Sequence, residues 1–290
     1  MIRHFVSDLD GTLLNGSAEW DDVIGRGIDK ILQKGCSFTA ATGRTANGVK
    51  SLKQLWELPV YLILLNGALI LDCRRNVIFE QQVSDSAKEK LLRGYSNANL
   101  EFITKEGSMT MLSQEAFIRE YSAWDFWRKK VLENKDRTYY KTYMDHISFG
   151  VSEEKIRKAH VLKVNGLLMD GSNYAKTLAE IEERLTDIVN APFTDYVLEI
   201  TAKGVSKANA LLFLSDMLGW KKEETAVFGD GGNDIGMLKM FPNSYAPENA
   251  SERVKQAAMA VTGCHAQYGV LNRMLELLGE SGDISITNAR

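Results

Sequence analysis

Apolar and polar positions change their spacing several times along the chain, and each change marks an element. Ile2 to Ser7 is rich in apolar residues and predicts a strand. Val23, Ile24, Ile28, Ile31 and Leu32 then recur at spacings of one, three and four. That is the mark of a helix face, and Gly35 supplies a stop. Ser37 to Ala40 predicts a second strand and Thr45 to Trp56 a second helix. Val60 to Leu65 is apolar with little alternation, as in a strand covered on both faces of a parallel sheet. Strand, helix, strand, helix, strand predicts a βαβ architecture with right-handed crossovers.

From about Val83 to Thr194 that regularity is lost. Leu112 to Leu132 reads as helical, His160 to Leu168 as a strand, and Ser172 to Thr186 as helical again through Leu178, Ile181 and Leu185. The alternation resumes at Val197 to Ile200 and continues with a helix from Ser206 to Leu218, ending at Gly219. Strand Ala226 to Phe228, helix Asn233 to Met240, strand Ser244 to Ala246 and helix Ala250 to Ala257 follow. Ala260 to Thr262 and a helix from Tyr268 to Leu278 close the pattern. The reading is an α/β parallel-sheet domain, residues 1–82 plus 193–290, split by an α+β insertion at 83–192. The polar tail from Glu280 to Arg290 is expected to fray.

The chain of 290 residues is long enough for two domains or one large one. The net charge is −3, which offers no strong field for a phosphate backbone, so nucleic acid is not an expected partner. Cys36, Cys73 and Cys264 form no CxxC, and their odd number argues against a disulfide framework. The histidines form no HExxH, so a structural zinc site is not expected. The longest apolar stretch, Tyr61 to Leu71, falls short of the roughly 20 residues that span a bilayer. Asp8 arrives before an apolar targeting region can form. The expectation is a cytoplasmic protein with no membrane partner; the oligomeric state is not readable.

Candidate chemistry gathers at strand ends. Asp8-Leu9-Asp10-Gly11-Thr12 follows the first strand, where two carboxylates two residues apart can face one pocket. They suit a metal or a split between nucleophile and acid/base; a plain turn has the same composition. A calcium loop is excluded, because Leu13 stands where that loop needs glycine. Gly229-Asp230-Gly231-Gly232-Asn233-Asp234 follows another apolar strand. Asp230 and Asp234 share a side if the next helix has begun, and the pair could join the first on one magnesium. A glycine-rich turn with a helix cap is the alternative. Thr42-Gly43-Arg44 places a hydroxyl and free N–H groups before a helix, which makes either an anion site or an ordinary N-cap. Lys207 falls in the first turn of a helix, where the dipole disfavours a cation unless an anion is near. Asn66-Gly67-Ala68 is by itself a turn signal.

Together these segments resemble the haloacid dehalogenase-like superfamily, and within it the Cof-type phosphatases. Asp8 to Leu14, Ala41 to Arg44, Lys203 to Lys207 and Gly229 to Asp234 with Met237-Leu238 match its four motifs in order, and Asn66-Gly67-Ala68 is also typical. The sequence departs at Ala208, where glycine is usual, and at Tyr245 to Ala250, where Val-Ala-Met-Gly-Asn-Ala is common.

The resemblance implies a doubly wound, Rossmann-like core and a cap domain over 83–192. It implies a Mg²⁺-dependent phosphatase of small phosphorylated metabolites, sugar phosphates foremost. Asp8 is then the nucleophile and Asp10 the acid/base. Asp8, the Asp10 backbone carbonyl, Asp230 and Asp234 would hold the metal. Thr42, Gly43, Arg44, Asn66, Lys207 and Asn233 would hold phosphate or substrate. Two alternatives are a phosphomutase on the same scaffold and a non-catalytic ligand-binding protein. In the insertion, Tyr121, Trp124, Phe126, Trp127, Tyr139, Tyr140 and Tyr143 form either a small core or rings that meet a sugar or base. Arg128-Lys129-Lys130 is either a solvated helix face or an attractor of acidic substrates.

Overall fold

The computed structural model describes residues 1–94, 99–123, 143–167, 176, 179–181, 183–192 and 197–280. From the N-terminus the strands are β1 (His4–Ser7), β2 (Ser37–Ala41), β3 (Tyr61–Leu64), β4 (Leu69–Leu71) and β5 (Val77–Glu80). Next come β6 (Glu101–Ile103), β7 (Ser108–Met109), β8 (Ile147–Ser148), β9 (Lys163–Leu167), β10 (Ile188–Asn190) and β11 (Val197–Ala202). The last are β12 (Thr225–Phe228), β13 (Asn243–Pro247) and β14 (Ala260–Thr262).

Eight strands form one sheet in the order β14-β13-β12-β1-β2-β3-β4-β5. It is parallel from β14 to β3, and β4 runs antiparallel to β3. The fold is the expected doubly wound α/β core. From β1 the chain steps one way through β2 and β3, and β12 to β14 build the other side. In such sheets ligands bind at the carboxyl end of the reversal point. The register makes that edge level: Ser7 pairs with Phe228 on one side and Ala40 on the other. The next residues are therefore Asp8, Gly229 and Ala41, side by side. The hairpin of β3 and β4 was not anticipated, because the apolar run continues through its turn.

The helices pack by the pattern that predicts them. Asp22–Gln33 buries Ile24, Gly27, Ile28 and Ile31, and Asp21 caps it by accepting from Val23 and Ile24 N–H. Lys207–Leu218 is capped by the Ser206 hydroxyl and ends on Gly219 in the left-handed region. The helix expected over Thr45 to Trp56 is two short ones, Ala46–Lys50 and Lys53–Glu57. Leu52 leaves helical geometry between them, and the Ser51 hydroxyl turns back onto Gly48 O.

The chain divides into two compact units. The first comprises Met1–Gly43, Leu52–Ile78 and Ser206–Arg290; the second comprises Arg44–Ser51 and Phe79–Val205. The second unit holds a six-stranded sheet, β10-β11-β9-β6-β7-β8, antiparallel except between β7 and β8. One face packs Phe102, Val164, Leu198 and Ile200 against Leu91 of helix Asp85–Gly94 and Ile156 of helix Glu153–Lys158. The other face carries Leu167 and Val197 against Phe117, Tyr121, Met144 and Ile147.

β11 corrects one expectation. Val197 to Ile200 was assigned to the resumed parallel sheet, but it pairs antiparallel with β9 in the second unit. All six residues of β11 are buried, so its pattern imitates a core parallel strand. The helix expected over Leu112 to Leu132 begins at Gln114, capped by Ser113, and runs to Ser122. Beyond it, Trp124, Phe126, Trp127, Arg128-Lys129-Lys130, Tyr139 and Tyr140 lie outside the described residues, as do 172–175, 177–178 and 182 of the helix expected over Ser172 to Thr186 and the tail from 281. Tyr121 stacks on Phe117 at 4.1 Å, and the Tyr143 hydroxyl donates to Glu101 Oε2 at 3.0 Å.

Candidate active site

Asp8 leaves β1 with its N–H bonded to Phe228 O at 3.0 Å, so the neighbouring strand fixes its start. The chain then makes one wide turn, Leu9–Leu13, closed by Leu14 N–H on Leu9 O at 2.9 Å. Asp10 is extended within it, and Gly11 is left-handed at φ 78°. No other residue fits there: a Cβ on Gly11 would stand 2.4 Å from Asp230 Oδ2. Gly229 is as tight, since its Cβ would meet the Asp234 side chain at 2.4 Å.

These close approaches gather three carboxylates. Asp8, Asp230 and Asp234 each offer one oxygen, and the three atoms lie within 4.8 Å of one another. Lys207 Nζ donates to Asp8 Oδ1 and to Asp234 Oδ1, each at 2.8 Å. Lys207 is 1% exposed and Asp234 fully buried. That answers the odd placement of a lysine in a helix's first turn: two buried anions outweigh the dipole. Thr12 Oγ1 donates to Asp230 Oδ1 at 2.6 Å, and Gly231 N–H to Asp234 Oδ2 at 2.9 Å.

Electrostatics follow from burial and crowding. Burial lifts the Asp8 carboxyl well above the usual carboxylate range; Asp234 and Asp230 push the same way, and Lys207 opposes them. Burial also raises Asp230, against the Thr12 hydrogen bond, with Asp234 adding to the rise. For Lys207 burial favours the neutral amine, yet Asp234 and Asp8 overcome it and hold the pKa above the ordinary lysine value. Two buried carboxylates on one ammonium, with the half-buried Asp230 beside them, leave an excess of negative charge. Their all-oxygen donor set suits a hard divalent cation.

Asn233 Nδ2 donates to Asn66 Oδ1 at 3.0 Å, which joins the β12 and β3 ends. Asn66 is 2% exposed, and its Nδ2 has no hydrogen-bond partner among the described residues. Leu65 and Asn66 both take positive φ, 52° and 57°, a conformation that costs of order 1–3 kcal/mol per residue and clusters at functional sites. Asn66 N–H bonds to Thr42 O at 3.1 Å, and buried Thr42 sends its own N–H to Ile63 O at 2.8 Å.

The structure therefore brings Asp8, Asp230, Asp234 and Lys207 into one contact group, with the Asn66–Asn233 pair tied to Thr42. Asp10 is half-buried and stands outside the carboxylate group. Arg44 belongs to the second unit, where its Nη1 donates to Gly48 O at 3.3 Å. The sequence reading passed over Thr12, although it lies inside the first motif, and over Asn249 and His265. Asn249 donates to Gly11 O and accepts from His265 N–H. Its one signal was that it keeps the asparagine of the common Val-Ala-Met-Gly-Asn-Ala, from which Tyr245, Pro247 and Glu248 depart.

A family profile for haloacid dehalogenase-like hydrolases matches residues 5–274, and the chain belongs to that family. Within it the chain is a phosphatase, a hydrolase of phosphoric monoesters. It is 27% identical to a putative phosphatase of Buchnera aphidicola subsp. Baizongia pistaciae over 87% of this chain and 88% of that one. It is also 27% identical to the 5-amino-6-(5-phospho-D-ribitylamino)uracil phosphatase of Bacillus subtilis, over 93% of each chain. A solved subclass IIB sugar phosphatase of the same superfamily shares the fold with a TM-score of 0.75, at 21% identity, covering 96% of this chain and 99% of that one. Among the described residues no helix is long and apolar enough to cross a membrane.

Proposed function

We propose that the protein is a Mg²⁺-dependent phosphatase of small phosphorylated metabolites, sugar phosphates foremost, working through an aspartyl-phosphate on Asp8. The observation that carries the reading is the group of Asp8, Asp230 and Asp234 at the carboxyl edge of the sheet, with buried Lys207 bridging Asp8 and Asp234. The substrate class draws support from a relative that acts on a phosphoribityl compound and a structural neighbour that is a sugar phosphatase.

Asp8 attacks phosphorus, and the bond from phosphorus to the leaving oxygen breaks. Asp10 gives that oxygen its proton. Asp10 then takes a proton from the water that attacks the aspartyl-phosphate, which restores Asp8 and frees inorganic phosphate. Lys207, Thr42 and Asn233 hold phosphoryl oxygens, with Gly43, Arg44 and Asn66 alongside. The unpartnered Nδ2 of Asn66 supports its place there, because a buried donor gains most from an anionic acceptor. Asp8, the Asp10 carbonyl, Asp230 and Asp234 would hold the metal. Bound there, Mg²⁺ would offset the repulsion between a carboxylate nucleophile and a phosphate dianion. The second unit would serve as the cap that covers the site, excludes water and selects the substrate.

The test is inorganic phosphate release from sugar phosphates, nucleotides and p-nitrophenyl phosphate, with Mg²⁺, with EDTA and with Asp8→Asn. Metal-dependent release that vanishes in Asp8→Asn is expected, and the ranking of compounds then defines the substrate. Wild-type release by folded Asp8→Asn ends the nucleophile assignment. Transfer of the phosphoryl group within one sugar phosphate, without release, makes the protein a mutase. Asp10→Asn should lower turnover by about 10²–10⁴, the usual span for a lost general acid/base. A smaller loss than about threefold removes Asp10 from that role.

A further inference from the structure

The turn that carries Asp10 is held by the C-terminal part of the chain. Asn249 Nδ2 donates to Gly11 O at 2.8 Å. His265 N–H donates to Asn249 Oδ1 at 3.1 Å, and His265 Nδ1 meets Leu14 O at 2.9 Å. A carbonyl oxygen only accepts, so His265 carries a proton on Nδ1. The orientation of the Asn249 amide is equally settled: its oxygen serves His265 N–H, which leaves only Nδ2 to face Gly11 O. Two carbonyls, one inside the turn and one just past its end, are thus gripped by the side chains of two residues that a bond from the His265 backbone N–H to Asn249 Oδ1 joins.

Gly11 is where a grip matters. It sits at φ 78°, ψ −2°, and has no side chain to restrain the peptide planes on either side. The plane after it leads to Thr12, which is tied to Asp230. The plane before it begins at Asp10. β1 fixes the chain upstream of Asp10, so the plane after Gly11 is the downstream anchor, and a shift of that anchor lets Leu9 to Gly11 turn relative to Asp8 without disturbing β1.

We propose that Asn249 is a positioning residue for the catalytic turn, and that His265 orients it. By bonding Gly11 O, Asn249 fixes the peptide plane after Gly11, the far anchor of the short span from β1 that carries Asp10, and through that anchor the placement of the Asp10 side chain. This rests on the assignment of Asp8 and Asp10 given above. Asn249 is exposed, so its bond adds little to folding. A displacement of about 1 Å at a reacting group, by contrast, costs about 10²-fold in rate.

The experiment is steady-state kinetics on p-nitrophenyl phosphate with Mg²⁺ for the wild type, Asn249→Ala, Asn249→Asp and Asp8→Asn, alongside thermal melting of each. Asn249→Ala should lose about 10- to 10²-fold in kcat while KM moves less than about threefold. Its Tm should stay within about 4 °C of the wild type, the shift expected for one weak hydrogen bond. Asn249→Asp still accepts from His265 N–H but cannot donate to Gly11 O, and should lose kcat alongside Asn249→Ala. Wild-type kcat in Asn249→Asp overturns the inference. A rise in KM at constant kcat overturns it too, because Asn249 would then touch substrate. A fall in kcat that tracks a large fall in Tm reduces Asn249 to a structural tie and overturns it as well. If Asp8→Asn is inactive and Asn249→Ala is unimpaired, the inference alone falls. If Asp8→Asn turns over normally, the site assignment falls and takes the inference with it.

Discussion

Two lysines, Lys207 in the first unit and Lys163 in the second, are each 1% exposed, and each is paired with carboxylates. Their surroundings differ in kind. Lys163 and Glu199 lie on adjacent antiparallel strands, on the face that also carries Glu101 and Asn165. Burial raises the Glu101 carboxyl above its ordinary range, but hydrogen bonds from Ser108, Tyr143 and Asn165 and the charge of Lys163 oppose that rise. The strands there are regular. Lys207, by contrast, serves Asp8 and Asp234 with Asp230 as a third carboxylate, at loop ends where Gly11, Leu65 and Asn66 all take positive φ. An atom without a partner among the described residues does not separate the clusters, since the second has one too, Asn165 Oδ1. The larger charge excess and the bent backbone do. A buried ion pair by itself is weak evidence of stability or of function; uncompensated charge held by strained backbone is the mark of a site.

Replacing each lysine in turn is the sharpest way to break that contrast. Lys207→Met should lower kcat by about 10²–10³, the range for losing one preorganised electrostatic stabiliser. Lys163→Met strands Glu199 without its cation and should cost about 3–5 kcal/mol, read from urea unfolding. At a temperature where it remains folded, its kcat on p-nitrophenyl phosphate should stay within about threefold, under 1 kcal/mol at the barrier. If folded Lys163→Met loses as much kcat as Lys207→Met, the second cluster belongs to the chemistry and the contrast collapses.

The same contrast explains what could be read from the sequence. Asp8, Asp230 and Asn66 were legible because parallel strands line up their carboxyl ends, so motifs far apart in the chain become neighbours by topology alone, whereas Lys207, which follows β11 of the other sheet, was legible only by its odd place in a helix's first turn and by its motif. The ties across that edge were not. Thr12 reaches Asp230 over 218 positions, and Asn249 reaches Gly11 over 238. No local spacing encodes such contacts. β11 was misassigned for the opposite reason: its pattern is informative but shared by two kinds of buried strand. Glu199 in its middle was the neglected sign, because a carboxylate inside an apolar run needs a cation across the sheet, and Lys163 is that cation. The break between helices Ala46–Lys50 and Lys53–Glu57 has a weaker trace, a serine that competes for a backbone carbonyl.

The smallest expected effect concerns a tie that resembles the Asn249 grip but sits farther from Asp10. The Tyr268 hydroxyl donates to Asp21 Oδ2 at 2.7 Å, and Asn15 Nδ2 donates to the same oxygen at 2.9 Å. Burial works to raise the Asp21 carboxyl, but the bonds from Tyr268, Asn15 and the Ile24 and Val23 N–H groups prevail and hold it below its ordinary value. The same bond to Asp21, with burial adding to it, pushes the Tyr268 phenol up to about 12. A carboxyl lowered in the folded state stabilises above its unfolded pKa, about 3.9, and that stability drains away as pH falls through the folded value. Tyr268→Phe should therefore cost about 1 kcal/mol at neutral pH, modest because the pair is partly solvated, and the difference from wild type should shrink below about pH 4. Because this bond holds a helix cap and not the turn around Gly11, kcat should stay within about threefold. A penalty that persists unchanged into acid would mean that the ring's packing, not its hydroxyl, holds the segment. A large loss of kcat would show that the whole C-terminal segment moves as one body with the catalytic turn, and would make the Asn249 effect a property of that body.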